Sequence, residues 1–199
     1  MLRIGITGGI GAGKSTIAKI FECLGYPVFY SDAVAKQLMH TDLSLRASLV
    51  EHFGEETFLN GKLNRPFLSE IIMNNEDEKA KISALVHPRV REKFEDFVSE
   101  NSSNEFVFNE AAIIFETGSY KKFDVVILVT ASKEVRIERV RNRDGATTEQ
   151  VIDRMNNQWT DDQKIPLADY LIENMNDTPV LEQVEALLVE LKLNQSTSS

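Results

Sequence analysis

A single cysteine, Cys23, occurs in 199 residues. That excludes an internal disulfide and any cysteine-based metal cluster. Its place in an amphipathic segment reads as a small core residue rather than a nucleophile, since free cysteines are usually buried and inert. Long apolar runs are missing too, and no stretch approaches the ~18 residues of a membrane-spanning helix. Met1-Leu2-Arg3 passes directly into an apolar segment with no leader ahead of it, so the cytoplasm is the expected compartment. Basic residues are in deficit, with 22 Lys and Arg against 31 Asp and Glu and a net charge of −9. Such a balance argues against nucleic acid as a partner, because binding it needs a basic face that displaces counterions. It also makes any local cluster of cations stand out. Internal repeats and low-complexity segments do not occur. What is present, 42% hydrophobic and 27% charged residues, suits one globular core with an inserted subdomain, and a monomer is the default expectation.

The strongest local signal is Thr7-Gly8-Gly9-Ile10-Gly11-Ala12-Gly13-Lys14-Ser15-Thr16, which contains the phosphate-loop spacing Gly8-x-x-x-x-Gly13-Lys14-Ser15. Leu2 to Ile6 before it reads as a buried strand. Lys14 to Leu24 after it reads as a helix with Ile17, Ile20, Phe21 and Leu24 on one face and Gly25 as its stop. Strand, glycine loop and helix aim consecutive backbone N–H groups into one concavity, and the helix N-terminus adds partial positive charge. Glycines let the backbone approach phosphate oxygens closely. Lys14 can then reach the β- and γ-phosphates, and the Ser15 hydroxyl can join the shell of Mg²⁺. The residues Gly8, Gly9, Gly11, Ala12, Gly13, Lys14, Ser15 and Thr16 form the expected nucleoside triphosphate site.

Val28 to Tyr30 reads as a second strand and Ala33 to Met39 as a helix. Asp32, at the carboxyl edge of that strand, lies where ligands bind in open α/β sheets, and it serves either as a catalytic base or as a helix cap. From Asp42 to Asn101 strand signals stop and amphipathic segments follow one another, which predicts a helical insertion with an Asn60-Gly61 turn inside it. Within it Pro88 predicts a helix start just after His87, with Arg89 and Arg91 one turn in. Cations oppose the dipole there, so the cluster is either an anion site or a solvated group of paired charges. A third strand at Phe106-Val107-Phe108 ends in Glu110, which with Glu116 is a candidate for the Mg²⁺ shell; a cap or surface role is the alternative for each. Phe123 to Thr130 reads as a central parallel strand covered on both faces.

The helix Lys133 to Arg143 carries Arg136, Arg139 and Arg143 on one face and Arg141 apart from them. A break at Asp144-Gly145 precedes a second helix from Glu149 to Asn157. The pair predicts a mobile lid over phosphates, clamped by guanidinium forks; a solvated helix with Glu134, Glu138 and Asp153 as partners is the alternative. Leu167 to Glu173 gives the fifth strand. A last helix begins at Thr178-Pro179, faces Val184, Leu187, Leu188 and Leu191 inward, and ends at Leu193.

In order, Thr7-Gly8-Gly9-Ile10-Gly11, Asp32-Ala33, His87-Pro88-Arg89-Val90-Arg91, Ile113-Ile114-Phe115-Glu116 and Gln158 resemble the dephospho-CoA kinase family over nearly the whole chain. Departures are Ala112, where the family commonly has proline, and Glu173-Asn174 for its usual Asp-Asn. The resemblance implies ATP-dependent phosphorylation of the ribose 3′-hydroxyl of dephospho-CoA. It implies an α/β architecture: a P-loop kinase core with a five-stranded parallel sheet (1–41, 102–133 and 162–193), a helical substrate domain (42–101) and a small helical lid (134–161), while Asn194 to Ser199 reads from its own residues as a disordered tail. It also implies roles. Asp32 accepts the proton of the attacking hydroxyl. Thr7, Asp32, His87, Arg89 and Arg91 lie toward the acceptor. Lys14, Arg139 and Arg143 stabilise the donor phosphates, with Mg²⁺ on Ser15. Composition and spacing alone stop at a small-molecule kinase. The rivals are a nucleoside monophosphate or shikimate-type kinase, and a nucleotide-driven switch with no acceptor at all.

Overall fold

The computed structural model describes residues 1–73 and 75–197. Along the chain run β1 (Leu2–Thr7), α1 (Lys14–Cys23), β2 (Val28–Tyr30), α2 (Ser31–Thr41), α3 (Leu43–Phe53), β3 (Phe58–Leu59), β4 (Lys62–Leu63), α4 (Arg65–Met73) and α5 (Glu76–Glu100). Then come β5 (Phe106–Glu110), β6 (Val125–Thr130), α6 (Lys133–Asp144), α7 (Thr148–Asn156), α8 (Asp161–Lys164), β7 (Tyr170–Glu173) and α9 (Val180–Thr197). The chain divides into two compact units, Met1–Phe29 with the segment from Asn101 on, and Tyr30–Glu100.

The first unit is the α/β core. Its sheet has the strand order β2-β5-β1-β6-β7; β1 pairs in parallel with β5 and β6, and β6 with β7. Both faces are covered, so the strands are runs of apolar residues rather than alternating ones: Phe106, Val107, Phe108, Ile127, Leu128 and Val129 have no exposed surface. Helix α1 buries Ile17, Ala18 and Phe21, and Phe21 stacks on Phe108 with ring centroids 4.1 Å apart, a geometry worth about 0.5–1.5 kcal/mol beyond area burial. Helix α9 packs beside α1 and against β7, burying Val184, Leu187, Leu188 and Leu191. It continues to Thr197 instead of giving way to a disordered tail at Asn194, because no glycine or proline follows Leu193 to stop it; Ser198 and Ser199 lie outside the described residues. Cys23 is exposed, contrary to expectation, since it falls on the polar side of the face that buries Phe21.

The second unit is helical. Helix α2, assigned to the core from sequence, packs against α3 and α5, so this unit begins at Tyr30 rather than after Thr41. Two-residue strands β3 and β4 form a hairpin around Asn60-Gly61, both with positive φ (50° and 76°), as a tight two-residue turn requires. The expected helix start at Pro88 does not occur, and α5 runs through it unbroken. Pro88 removes one i→i−4 hydrogen bond, but Val86, Val90, Phe94 and Val98 keep one buried stripe on both sides of it. Packing of that stripe outweighs the local preference.

Candidate functional site

Register brings the functional ends of the core strands level. Ile6 of β1 lies opposite Glu110 of β5, and the glycine loop leaves β1 one residue later. The Thr7 hydroxyl is fully buried and donates to the Ala112 carbonyl oxygen at 3.4 Å, a tie between the end of β1 and the chain after β5.

The loop is built against three side chains from other elements. At Gly9 a Cβ would lie 2.0 Å from Arg136 Nη2, so a buried guanidinium occupies the space a side chain would need. At Gly13, in the left-handed region with φ 95°, a Cβ would lie 1.9 Å from Asn174 Nδ2. Asn174 Nδ2 donates to the Ala12 carbonyl oxygen at 2.9 Å, and Arg136 Nε donates to the Ile10 carbonyl oxygen at 2.9 Å. Loop carbonyls drawn to outside donors leave neighbouring amides turned the other way, which is what an anion cradle needs. Gln158 Oε1 accepts the Ile10 N–H at 2.8 Å.

Lys14 Nζ donates to the carbonyl oxygens of Gly8 (2.9 Å) and Gly9 (3.5 Å). Ser15 Oγ sits 3.5 Å from Glu110 Oε1, and Glu110 is 6% exposed. Arg139 Nη1 donates to the Asn174 carbonyl oxygen at 2.8 Å and Nη2 to Asn176 Oδ1 at 3.2 Å, which puts it beside Gly13. Arg143 instead shares Asp144 with Arg154 at the far end of α6, where Asp144 raises its pKa. Glu116 is taken up elsewhere: its carboxylate accepts from the Trp159 N–H at 3.1 Å and pairs with the fully buried Lys164 at 2.9 Å. Removing one partner of such a pair costs about 3–5 kcal/mol, so Glu116 contributes to stability, while Glu110 is the carboxylate beside Ser15.

In the helical unit Asp32 is exposed in the first turn of α2. The N-cap falls on Tyr30 with no side-chain cap bond, so Asp32 is not the cap that sequence left open. His87 is half-buried within α5; burial first, and then the charge of Arg91, push its pKa below 6.5, with the Asp32 carboxylate pulling the other way. Arg89 is engaged by Asp42 (2.7 Å) and Glu92 (2.8 Å), a brace from α5 to the N-cap of α3 rather than an open anion fork. The Leu45 amide and then Arg89 lower the Asp42 pKa. Arg136, Gln158 and Asn174 lie far from the loop in sequence, and no local pattern ties them to it.

Among known proteins, the family model described as Dephospho-CoA kinase matches residues 2–179. A dephospho-CoA kinase from Bacteroides fragilis is 35% identical over 96% of this chain and 93% of its own length. The crystal structure of a Thermus thermophilus protein superposes with a TM-score of 0.81 at 32% identity, covering 96% of this chain and 97% of that one. Dephospho-CoA kinase from Campylobacter jejuni superposes with a TM-score of 0.67 at 26% identity, over 94% and 95% of the two chains. The chain belongs to the dephospho-CoA kinase family.

Proposed function

We propose that this chain transfers the γ-phosphoryl group of ATP to the ribose 3′-hydroxyl of dephospho-CoA, giving coenzyme A, with the residues below in named roles. The observation that carries the reading is the glycine loop braced by Arg136 and Asn174, with Lys14, Ser15 and Arg139 around it, in a member of this family.

Phosphoryl transfer asks the protein for alignment and charge neutralisation more than for covalent chemistry. Amides of the glycine loop and the Lys14 ammonium hold the donor phosphates. Lys14 Nζ, already resting on the Gly8 carbonyl, needs only a side-chain rotation to reach them. Arg139, stationed at Asn174, neutralises charge developing between donor and acceptor. Asp32 takes the proton of the attacking hydroxyl and is unencumbered by a capping bond. His87 and Arg91 bind the acceptor, and Arg89 holds the helix that carries them. Arg143 belongs to the outer part of a lid formed by residues 134–161, and closure there excludes water as a competing acceptor.

Mg²⁺ fits the residues present. It needs only one or two protein oxygens beside phosphates and waters, and Ser15 Oγ with the buried Glu110 carboxylate provides them. The ion would neutralise phosphate charge. Incubation with ATP and dephospho-CoA tests the function: coenzyme A should form in step with ADP, and ADP release without coenzyme A would contradict it.

A further inference from the structure

Both peptide groups of Ile10, at the turn of the phosphate loop, are held from outside it. Gln158 Oε1 accepts its N–H at 2.8 Å, and Arg136 Nε donates to its C=O at 2.9 Å. The two side chains come from the two roots of the helical hairpin α6–α7. Arg136 lies near the start of α6 and Gln158 just past the end of α7. The roots are themselves joined: Arg136 Nη1 reaches the Asp161 carboxylate at 3.4 Å. The stretch after Gln158 is fixed again by the Trp159 N–H on Glu116 and by Lys164 on the same carboxylate. Arg136 is 8% exposed, and its guanidinium fills the space beside Gly9. A buried cation needs a reason, and a solvated lid arginine would not sit there.

We propose that Arg136 and Gln158 are positioning residues for phosphoryl transfer, a latch that holds Ile10 and so keeps the loop amides in the orientation that receives the donor phosphates. The inference rests on the reading of residues 8–16 as the ATP phosphate site. Glycines on both sides of Ile10 make the free loop pliable, with positive φ at Gly11. Releasing Ile10 lets the amides visit orientations that do not bind. A loop competent a tenth of the time binds ATP about tenfold more weakly, and once ATP is bound it turns over nearly normally. The dephospho-CoA side is untouched.

The test is steady-state kinetics with ATP and dephospho-CoA varied separately, alongside the thermal midpoint. Gln158→Leu should raise KM for ATP about tenfold, with kcat within about threefold and KM for dephospho-CoA unchanged. Gln158→Glu keeps an acceptor for the Ile10 N–H beside the Arg136 cation and should recover most of the loss. Arg136→Gln, too short to span Ile10 and Asp161 together, should raise KM for ATP in the same direction; it carries the test alone if Gln158→Leu does not fold. Wild-type KM for ATP in both variants, equal rises in both KM values, or no recovery in Gln158→Glu overturns the latch. Lys14→Ala separates this from failure of the loop reading. If Lys14→Ala is inactive while the Gln158 and Arg136 variants bind ATP normally, only the latch is wrong; if Lys14→Ala is active, the loop assignment is wrong as well.

Discussion

Arg139 donates from Nη1 to the main-chain carbonyl oxygen of Asn174 at 2.8 Å. Asn174 in turn donates to the Ala12 carbonyl oxygen, so an α6 arginine stands two hydrogen bonds from the phosphate loop. The protein's own contacts hold that guanidinium beside Gly13 of the loop. Arg139→Ala should lower kcat roughly 10²-fold, about 3 kcal/mol, the scale of a lost charge-stabilising donor. Arg141 is exposed on another side of the same helix, and Arg141→Ala should change kcat less than about threefold. Equal losses at both positions would contradict the placement of Arg139.

Lys14 lies outside the core and rests on the Gly8 carbonyl oxygen. Lys14→Ala is therefore expected to leave the thermal midpoint within a few degrees of wild type while kcat falls at least roughly 10²-fold. Circular dichroism through the melt and initial rates on one preparation measure both. Near-normal turnover would remove Lys14 from the phosphates.

Asp32→Asn separates chemistry from helix stability. With the N-cap on Tyr30, Asp32 contributes at most its charge near the helix N-terminus, about 0.3–1 kcal/mol. As the proton acceptor it contributes ~10²–10⁴-fold in rate. We expect a nearly unchanged midpoint and kcat down at least a hundredfold. A variant with normal kcat would leave the attacking hydroxyl without a base.

His87 makes acid stability measurable. Burial, and then Arg91, lower its pKa below 6.5, although Asp32 opposes them. As pH falls through the ordinary histidine value, the unfolded chain takes up the proton before the native one does. This contribution is therefore whole above about pH 6.5 and lost as pH falls through the native pKa. The thermal midpoint of the wild type should drop more between pH 7 and pH 5 than that of His87→Gln. Parallel slopes would mean that His87 titrates alike in both states.

The strand–loop–helix at residues 2–24 was legible because backbone geometry and anion binding both depend on residues adjacent in sequence. The apolar runs at β5 and β6 were legible for a related reason: burial on both faces leaves no alternation to misread. The ties of Arg136 to Ile10, Gln158 to Ile10 and Asn174 to Ala12 join positions 126, 148 and 162 residues apart, and no local spacing encodes them. Pro88 misled because its local cost is outweighed by a buried stripe that runs past it in both directions. The cap of α2 was not legible either, because Ser31 and Asp32 are both good capping residues while the N-cap falls on Tyr30.

The most direct test of the account is ADP release with ATP and a panel of acceptors: dephospho-CoA, shikimate, a nucleoside monophosphate and none. Dephospho-CoA should raise the rate at least a hundredfold above the acceptor-free rate, with coenzyme A formed one for one with ADP; the other acceptors should leave it near that baseline. An acceptor-free rate equal to the dephospho-CoA rate, or a larger stimulation by shikimate or the nucleotide, would contradict it.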